Sequence, residues 1–256
     1  MLRHRNILLL LIISLAALIL LNRTYAIHWS LYLLLFILFF SAEFYGAYFI
    51  HANFHLKAIC GINTNEKVIA LTFDDGPVAL TEKVLEVLNE FDAKATFFCI
   101  GNRIGGKEDI LRKADAQGHL IGNHSYSHSF MFDLKTKSQF VDDLQSCDGE
   151  IKKAIGKSPA FFRPPYGVTT PALAKAVKKL KYEVIGWNIR SLDTAIKDRS
   201  QLLSRIKTRI KPGAVLLLHD TTAGIEIVLK EVLLYLKENN YRVVPLDTLI
   251  QKKAYV

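Results

Sequence analysis

"VIALTFDDGP", Val68 to Pro77, decides how this chain is read. Six residues of strand character run into two adjacent aspartates, and a Gly-Pro turn follows. Adjacent carboxylates repel, so placing Asp74 and Asp75 together at the end of a buried strand needs a chemical reason. The apolar run is continuous rather than alternating, as in a strand covered on both faces.

Six further runs share that character: "ATFFCI" (95–100), "LIGNH" (120–124), "AFFRPP" (160–165), "EVIGWNI" (183–189), "AVLLLH" (214–219) and "YRVVPL" (241–246). Helical spacing lies between them, with Val84, Val87, Leu88 and Phe91 on one face and Ile225, Val228, Leu229, Val232, Leu233 and Leu236 on another. Lys211-Pro212-Gly213 stops a helix before the sixth strand. Alternating strands and helices predict parallel β/α units. The expected fold is α/β, a distorted or incomplete (β/α) barrel of about seven parallel strands, with an open doubly wound sheet as the alternative. No G-x-G-x-x-G or P-loop supports a nucleotide fold.

The unusual polar residues fall at one end of these strands. Asp74 and Asp75 follow the first, His124 ends the third with His128 four residues on, and Arg163 and Tyr166 end the fourth. Asp193 follows the fifth, and His219 and Asp220 end the sixth. That is the face on which barrels and open α/β sheets build active sites. "HSYSH" spaces two imidazoles to reach one ion, and two His plus one Asp make the donor set of a catalytic Zn²⁺ or similar divalent metal. Adjacent residues at a strand end point in different directions. One aspartate can therefore bind the metal while its neighbour serves as base for the activated water. Arg163 can pair with that base and hold it ionised, His219 can act as general acid, and Asp193 can keep His219 protonated. His119 fits no such geometry and reads as structural.

Two apolar segments precede residue 56: Ile7–Leu21 and Ile27–Ile50. The second is long enough to span a bilayer, with Trp29, Tyr45 and Tyr48 near its ends as an aromatic belt. The first resembles a signal-peptide core, but Thr24-Tyr25-Ala26 is a poor cleavage site, and a second apolar segment follows at once. Two uncleaved transmembrane helices are expected, anchoring the protein in the cell membrane. Arg3 and Arg5 before the pair and Lys57 and Lys67 after it favour a cytoplasmic catalytic domain; a single span would turn that domain outward. The expected division is a membrane anchor over 1–56 (helices 7–21 and 27–50), a linker over 57–66, a catalytic domain over 67–250 and a tail over 251–256.

The net charge is +9. Arg3, Arg5 and Arg23 against Glu43 leave 30 basic and 23 acidic residues downstream, a net +7 on the soluble part. That serves solubility, or attraction to anionic headgroups or a polyanionic glycan. No dense Lys/Arg run is interleaved with aromatics, which argues against nucleic acid. Three cysteines, Cys60, Cys99 and Cys147, make no disulfide framework and no C-x-x-C pair; Cys99 and Cys147 read as core.

Over about residues 66–250 the soluble part resembles the polysaccharide deacetylases, carbohydrate esterase family four. "TFDDG", "HSYSH", "FRPPYG" and "LLLHD" match the family's first, second, third and fifth motifs, in its order. The resemblance implies that Asp74 is the general base, that Asp75, His124 and His128 hold the metal, and that Arg163 braces Asp74. It implies that the Tyr166 backbone N–H stabilises the oxyanion and that His219 is the general acid. The fourth motif pairs an Asp with a following Trp; here Asp193 stands, but Thr194 replaces the Trp. Leu217 and Leu218 would line an acetyl pocket.

The expected activity is metal-dependent removal of N-acetyl, or O-acetyl, groups from a glycan. Zn²⁺ is the first choice of ion, with Co, Ni or Mn as alternatives. A deacylase of a lipid-linked sugar at the cytoplasmic membrane face is the second reading. A glycosidase, which needs two carboxyls but no H-x3-H, and a non-catalytic glycan-binding or membrane-scaffold protein are the rivals.

Overall fold

A computed structural model describes residues 3–256. Among them nine short strands form one sheet: β1 (Ala58–Ile59), β2 (Val68–Asp74), β3 (Ala95–Cys99), β4 (Leu120–Asn123), β5 (Phe161–Phe162), β6 (Glu183–Ile185), β7 (Ile189–Arg190), β8 (Ala214–His219) and β9 (Arg242–Val243). Among the described residues nine α-helices accompany them: α1 (His4–Leu21), α2 (Trp29–Tyr48), α3 (Ala79–Glu90), α4 (Glu108–Ala116), α5 (Lys137–Ile155), α6 (Pro171–Leu180), α7 (Arg199–Lys207), α8 (Ile225–Glu238) and α9 (Leu246–Ile250). The strand order is β1-β6-β5-β4-β3-β2-β8-β7, with β9 pairing β2, and every ladder is parallel. The two end strands do not pair, so the barrel is incomplete, as the sequence predicts, rather than a doubly wound sheet.

β2 shows why its run is continuous. All seven residues are buried, and alternate side chains serve two different cores. Ile69, Leu71 and Phe73 pack outward with Val84, Leu85 and Leu88 of α3 and Val228, Leu229 and Val232 of α8. Val68 and Ala70 join Phe98, Leu120, Phe161, Ile185 and Val215 from the other strands, with Leu246 and Leu249 of α9. Period-two geometry puts Thr72 and Asp74 on that same inner face. The barrel interior therefore runs from apolar at one end to polar at the other, and Asp74 sits at the polar end.

Two strand expectations are corrected. "EVIGWNI" is predicted as one strand but forms two, β6 beside the end strand β1 and β7 at the other end of the sheet path. Gly186, Trp187 and Asn188 carry the chain across the gap, and Asn188 closes it by accepting from the Val215 N–H at 3.0 Å. A Cβ at Gly186 would meet Cys60 Sγ at 2.5 Å, so a side chain there would block the crossing. The segment 57–66, read as a linker, supplies edge strand β1, whose Ala58 and Ile59 pair Val184 and Ile185. Two residues were too few to register as a strand pattern. The tail 251–256 also packs: the Ala160 N–H donates to the Ala254 carbonyl at 2.7 Å, and the Ile121 N–H to Tyr255 Oη at 2.9 Å.

α1 and α2 are both long and apolar enough to cross a membrane. α1 begins three residues before the apolar run, so its 18 residues span about 27 Å, close to a hydrocarbon core. Their large side chains, Leu9, Ile13, Leu33 and Phe40 among them, are exposed instead of entering the domain core. The helices pair antiparallel: Tyr32 Oη donates to the Leu18 carbonyl at 3.2 Å, and at the other end of α1 the His4 N–H donates to the Phe54 carbonyl, six residues past the end of α2, at 3.2 Å.

Candidate active site

Arg163 organises the polar end of the barrel. Its side chain is fully buried. Nη1 donates to Asp74 Oδ1 at 2.7 Å and Thr72 Oγ1 at 2.8 Å, Nη2 to the Gly186 carbonyl at 2.9 Å, and Nε to the Ile185 carbonyl at 3.3 Å. The Phe98 ring lies 4.2 Å from the guanidinium carbon. A buried cation survives only when paired and hydrogen-bonded, and Arg163 meets both conditions. The expectation that Arg163 holds Asp74 ionised needs adjustment. Burial pushes the Asp74 carboxyl above its usual range, and Arg163 is the largest pull in the other direction. A carboxylate so balanced is a stronger base than one free in water.

Asp75 departs from the strand at once. Its φ of 78° is left-handed, which turns its side chain away from that of Asp74. Gly76 then passes so close to Asp220 that a Cβ would stand 2.2 Å from Oδ2. Burial pushes Asp220 up to about 7, and Oδ2 accepts from Thr81 Oγ1 at 2.6 Å. Sequence inspection notes Asp220 but assigns it no part in shaping the turn.

His124 and His128 meet Asp75. Their Nε2 atoms lie 3.6 and 3.4 Å from Asp75 Oδ1. His124 Nδ1 lies 2.8 Å from the Arg163 carbonyl, which can only accept. Nδ1 therefore carries the proton, and Nε2 presents its lone pair. Burial, followed by the His128 charge, drives His124 down to about 3 and keeps the ring neutral. One ligand atom from each of Asp75, His124 and His128 falls within 4.8 Å of the other two. Two imidazoles and a carboxylate fit a divalent transition metal.

The loop between the histidines is held by a residue the sequence reading missed. Asp143, on α5, accepts from Ser125 Oγ at 2.6 Å, Ser127 Oγ at 2.7 Å and the Tyr126 N–H at 3.1 Å, and it pairs with Lys135. Those hydrogen bonds hold its carboxyl below the ordinary range even though burial opposes them. The loop needs such a clamp because Ser125 and His128 both take positive φ. The available signal was a second aspartate beside the apolar stripe of α5, which looks like any solvated face.

His219, at the end of β8, faces Asp193. Nδ1 lies 2.8 Å from Asp193 Oδ1, and the His219 backbone N–H donates to Oδ2 at 2.7 Å. Burial pulls this imidazole down, but the Asp193 hydrogen bond and charge, helped by Asp74 and Asp75, push it up to about 9. Tyr166 sits in a left-handed conformation (φ 58°) with its ring 4.8 Å from that of His128. Leu217 shares the inner parity of β8, but Leu218 belongs to the outer core against the helices. The expectation that both line a pocket is therefore wrong for Leu218.

Residues 61–185 match the family model for polysaccharide deacetylase. The peptidoglycan-N-acetylmuramic acid deacetylase PdaA of Bacillus subtilis is 33% identical over 196 residues, covering 75% of this chain and 74% of its own. The chain belongs to the polysaccharide deacetylase family. A peptidoglycan-N-acetylglucosamine deacetylase of Bacillus cereus is 36% identical over 186 residues, covering 68% of this chain and 67% of its own. Among solved structures, the Bc1960 peptidoglycan N-acetylglucosamine deacetylase superposes with a TM-score of 0.72 at 26% identity, over 76% of this chain and 93% of that one. A CE4 family pseudoenzyme from Bacillus anthracis superposes with a TM-score of 0.69 at 27% identity, over 76% and 69%. Family membership and an intact site are thus separate questions.

Proposed function

We propose that this polysaccharide deacetylase is a membrane-anchored, metal-dependent enzyme that removes N-acetyl groups from an amino-sugar glycan. One observation carries it: a buried carboxylate braced by Arg163 and a His held protonated by Asp193 flank a two-His, one-Asp donor set. Base, acid and ligands stand together on one rim.

Asp75, His124 and His128 would hold the divalent ion, Zn²⁺ first and Co, Ni or Mn as alternatives. When bound, it would supply Lewis acidity, lowering the pKa of water and polarising the acetyl carbonyl. Asp74 takes the proton of the attacking water, and Arg163 keeps its carboxylate aimed. The Tyr166 backbone N–H donates to the oxyanion that develops on the carbonyl oxygen. His219, protonated at neutral pH, gives its proton to the departing amine, and the products are acetate and a free amino sugar.

The names of the relatives favour peptidoglycan amino sugars as substrate. The anchor supports a second reading. The Thr169 N–H donates to the Ala47 carbonyl of α2 at 2.9 Å, so the helix docks on the chain three residues past Tyr166. A catalytic loop tied to a membrane helix suits a lipid-linked acetylated sugar, and a two-span hairpin with basic flanks favours the cytoplasmic face. A C-terminal reporter active only inside or only outside the membrane separates cytoplasmic precursor from cell-wall glycan. Acetate release from both substrate classes, with and without chelator, tests the activity. Release that ignores the chelator would contradict the metal assignment.

A further inference from the structure

A second set of metal-type donors lies in the anchor. His4 opens α1, Glu43 lies in α2, and His55 follows α2 in sequence. One ligand atom from each falls within 4.8 Å of the others. His4 Nδ1 stands 2.7 Å from Glu43 Oε1, and His55 Nε2 stands 3.7 Å from Glu43 Oε2. The three come from separate stretches of chain, and the deacetylation chemistry uses none of them.

His55 is the anomaly. Its side chain is 2% exposed, yet among the described residues neither ring nitrogen has a hydrogen-bond partner. Nδ1 is buried with none, and 3.7 Å is too long for a bond from Nε2 to Glu43. Leaving a buried imidazole unpaired costs stability. Two ligand bonds of about 2.0–2.2 Å to a shared cation bridge such a gap. The rings are already assembled: His4 and His55 lie 5.2 Å apart, and Phe54 packs edge-on to both.

We propose that His4, Glu43 and His55 bind a second divalent transition-metal ion, of the Zn²⁺ class, that fastens the anchor hairpin to the catalytic domain. Two nitrogens and a carboxylate oxygen are the donors such an ion prefers. The ion joins the first turn of α1, the body of α2 and the segment leading into β1. Phe54 seats against Gly46 of that helix so closely that a Cβ there would lie 2.2 Å from its ring, and Thr169 Oγ1 reaches the Gly46 carbonyl at 3.4 Å. Fixing this junction therefore fixes the membrane helix against the loop that carries Tyr166.

The test is metal stoichiometry on the full-length chain in detergent, purified without a polyhistidine tag, loaded with Zn²⁺ and desalted. Elemental analysis is expected to find two zinc ions per chain in the wild type. The His124→Ala/His128→Ala variant is expected to keep one, and adding His4→Ala and His55→Ala to lose it. Should the fourfold variant not fold, Glu43→Gln in the His124→Ala/His128→Ala background keeps the side-chain shape and is expected to shed the remaining ion. One zinc in the wild type with none in His124→Ala/His128→Ala overturns the proposal. So does zinc retained after Glu43→Gln.

Discussion

Asp193 grips His219 from two directions: one carboxylate oxygen accepts the backbone N–H at 2.7 Å, and the other meets the ring Nδ1 at 2.8 Å. The imidazole therefore cannot rotate without losing its partner, and Nε2 is the nitrogen left for substrate. A general acid must be protonated, and the folded protein raises His219 to about 9. Activity that depends on this proton persists below that pH and falls as pH rises through it.

Asp193→Asn removes the charge that outweighs burial. The His219 pKa should drop, and the basic limb of the kcat/KM profile should move to lower pH with it. A loss of roughly 10²-fold or more in rate at neutral pH is expected. A basic limb that stays in place would mean another group sets it.

Arg163→Met leaves the Asp74 carboxylate buried without its cation. Breaking a buried pair from one side costs about 3–5 kcal/mol, so thermal unfolding should begin at a clearly lower temperature. The Asp74 carboxyl should rise further, moving the acidic limb of activity to higher pH. Arg163→Lys keeps a charge but cannot serve Thr72, Asp74 and the two carbonyls at once, and should fall between the two. Wild-type stability in Arg163→Met would refute the brace.

Asp143→Ala releases the loop between His124 and His128 without touching either imidazole. Losing an outer partner of this kind typically costs about 10–100-fold in metal affinity. Competition with a chromophoric chelator measures it. Unchanged affinity in a folded variant would show that the loop holds its shape without the clamp.

The fold was legible where side chains repeat. Continuous apolar runs marked β2, β3 and β8, and helix spacing marked α3 and α8. The crossing at Gly186–Asn188 was not legible, because a strand that changes neighbours halfway keeps the same apolar composition. β1 was too short for any period. At the site, Asp74, Asp75, His124, His128, Arg163 and His219 stood out because polar residues at buried strand ends are costly without a partner. Asp143 was hidden because an aspartate on a helix is ordinary, and only the folded loop shows what it holds. The match of Leu218 to a motif suggested a pocket wall, but strand parity sends that side chain outward.

Asp74 as the base beside a metal is the central proposal. Acetate release from an N-acetylated glycan by Asp74→Asn, assayed together with its metal content, tests this most directly. The expected result is a rate lower by on the order of 10²–10⁴ with bound metal unchanged, alongside a wild type silenced by chelator and restored by Zn²⁺. Full activity in Asp74→Asn would contradict it.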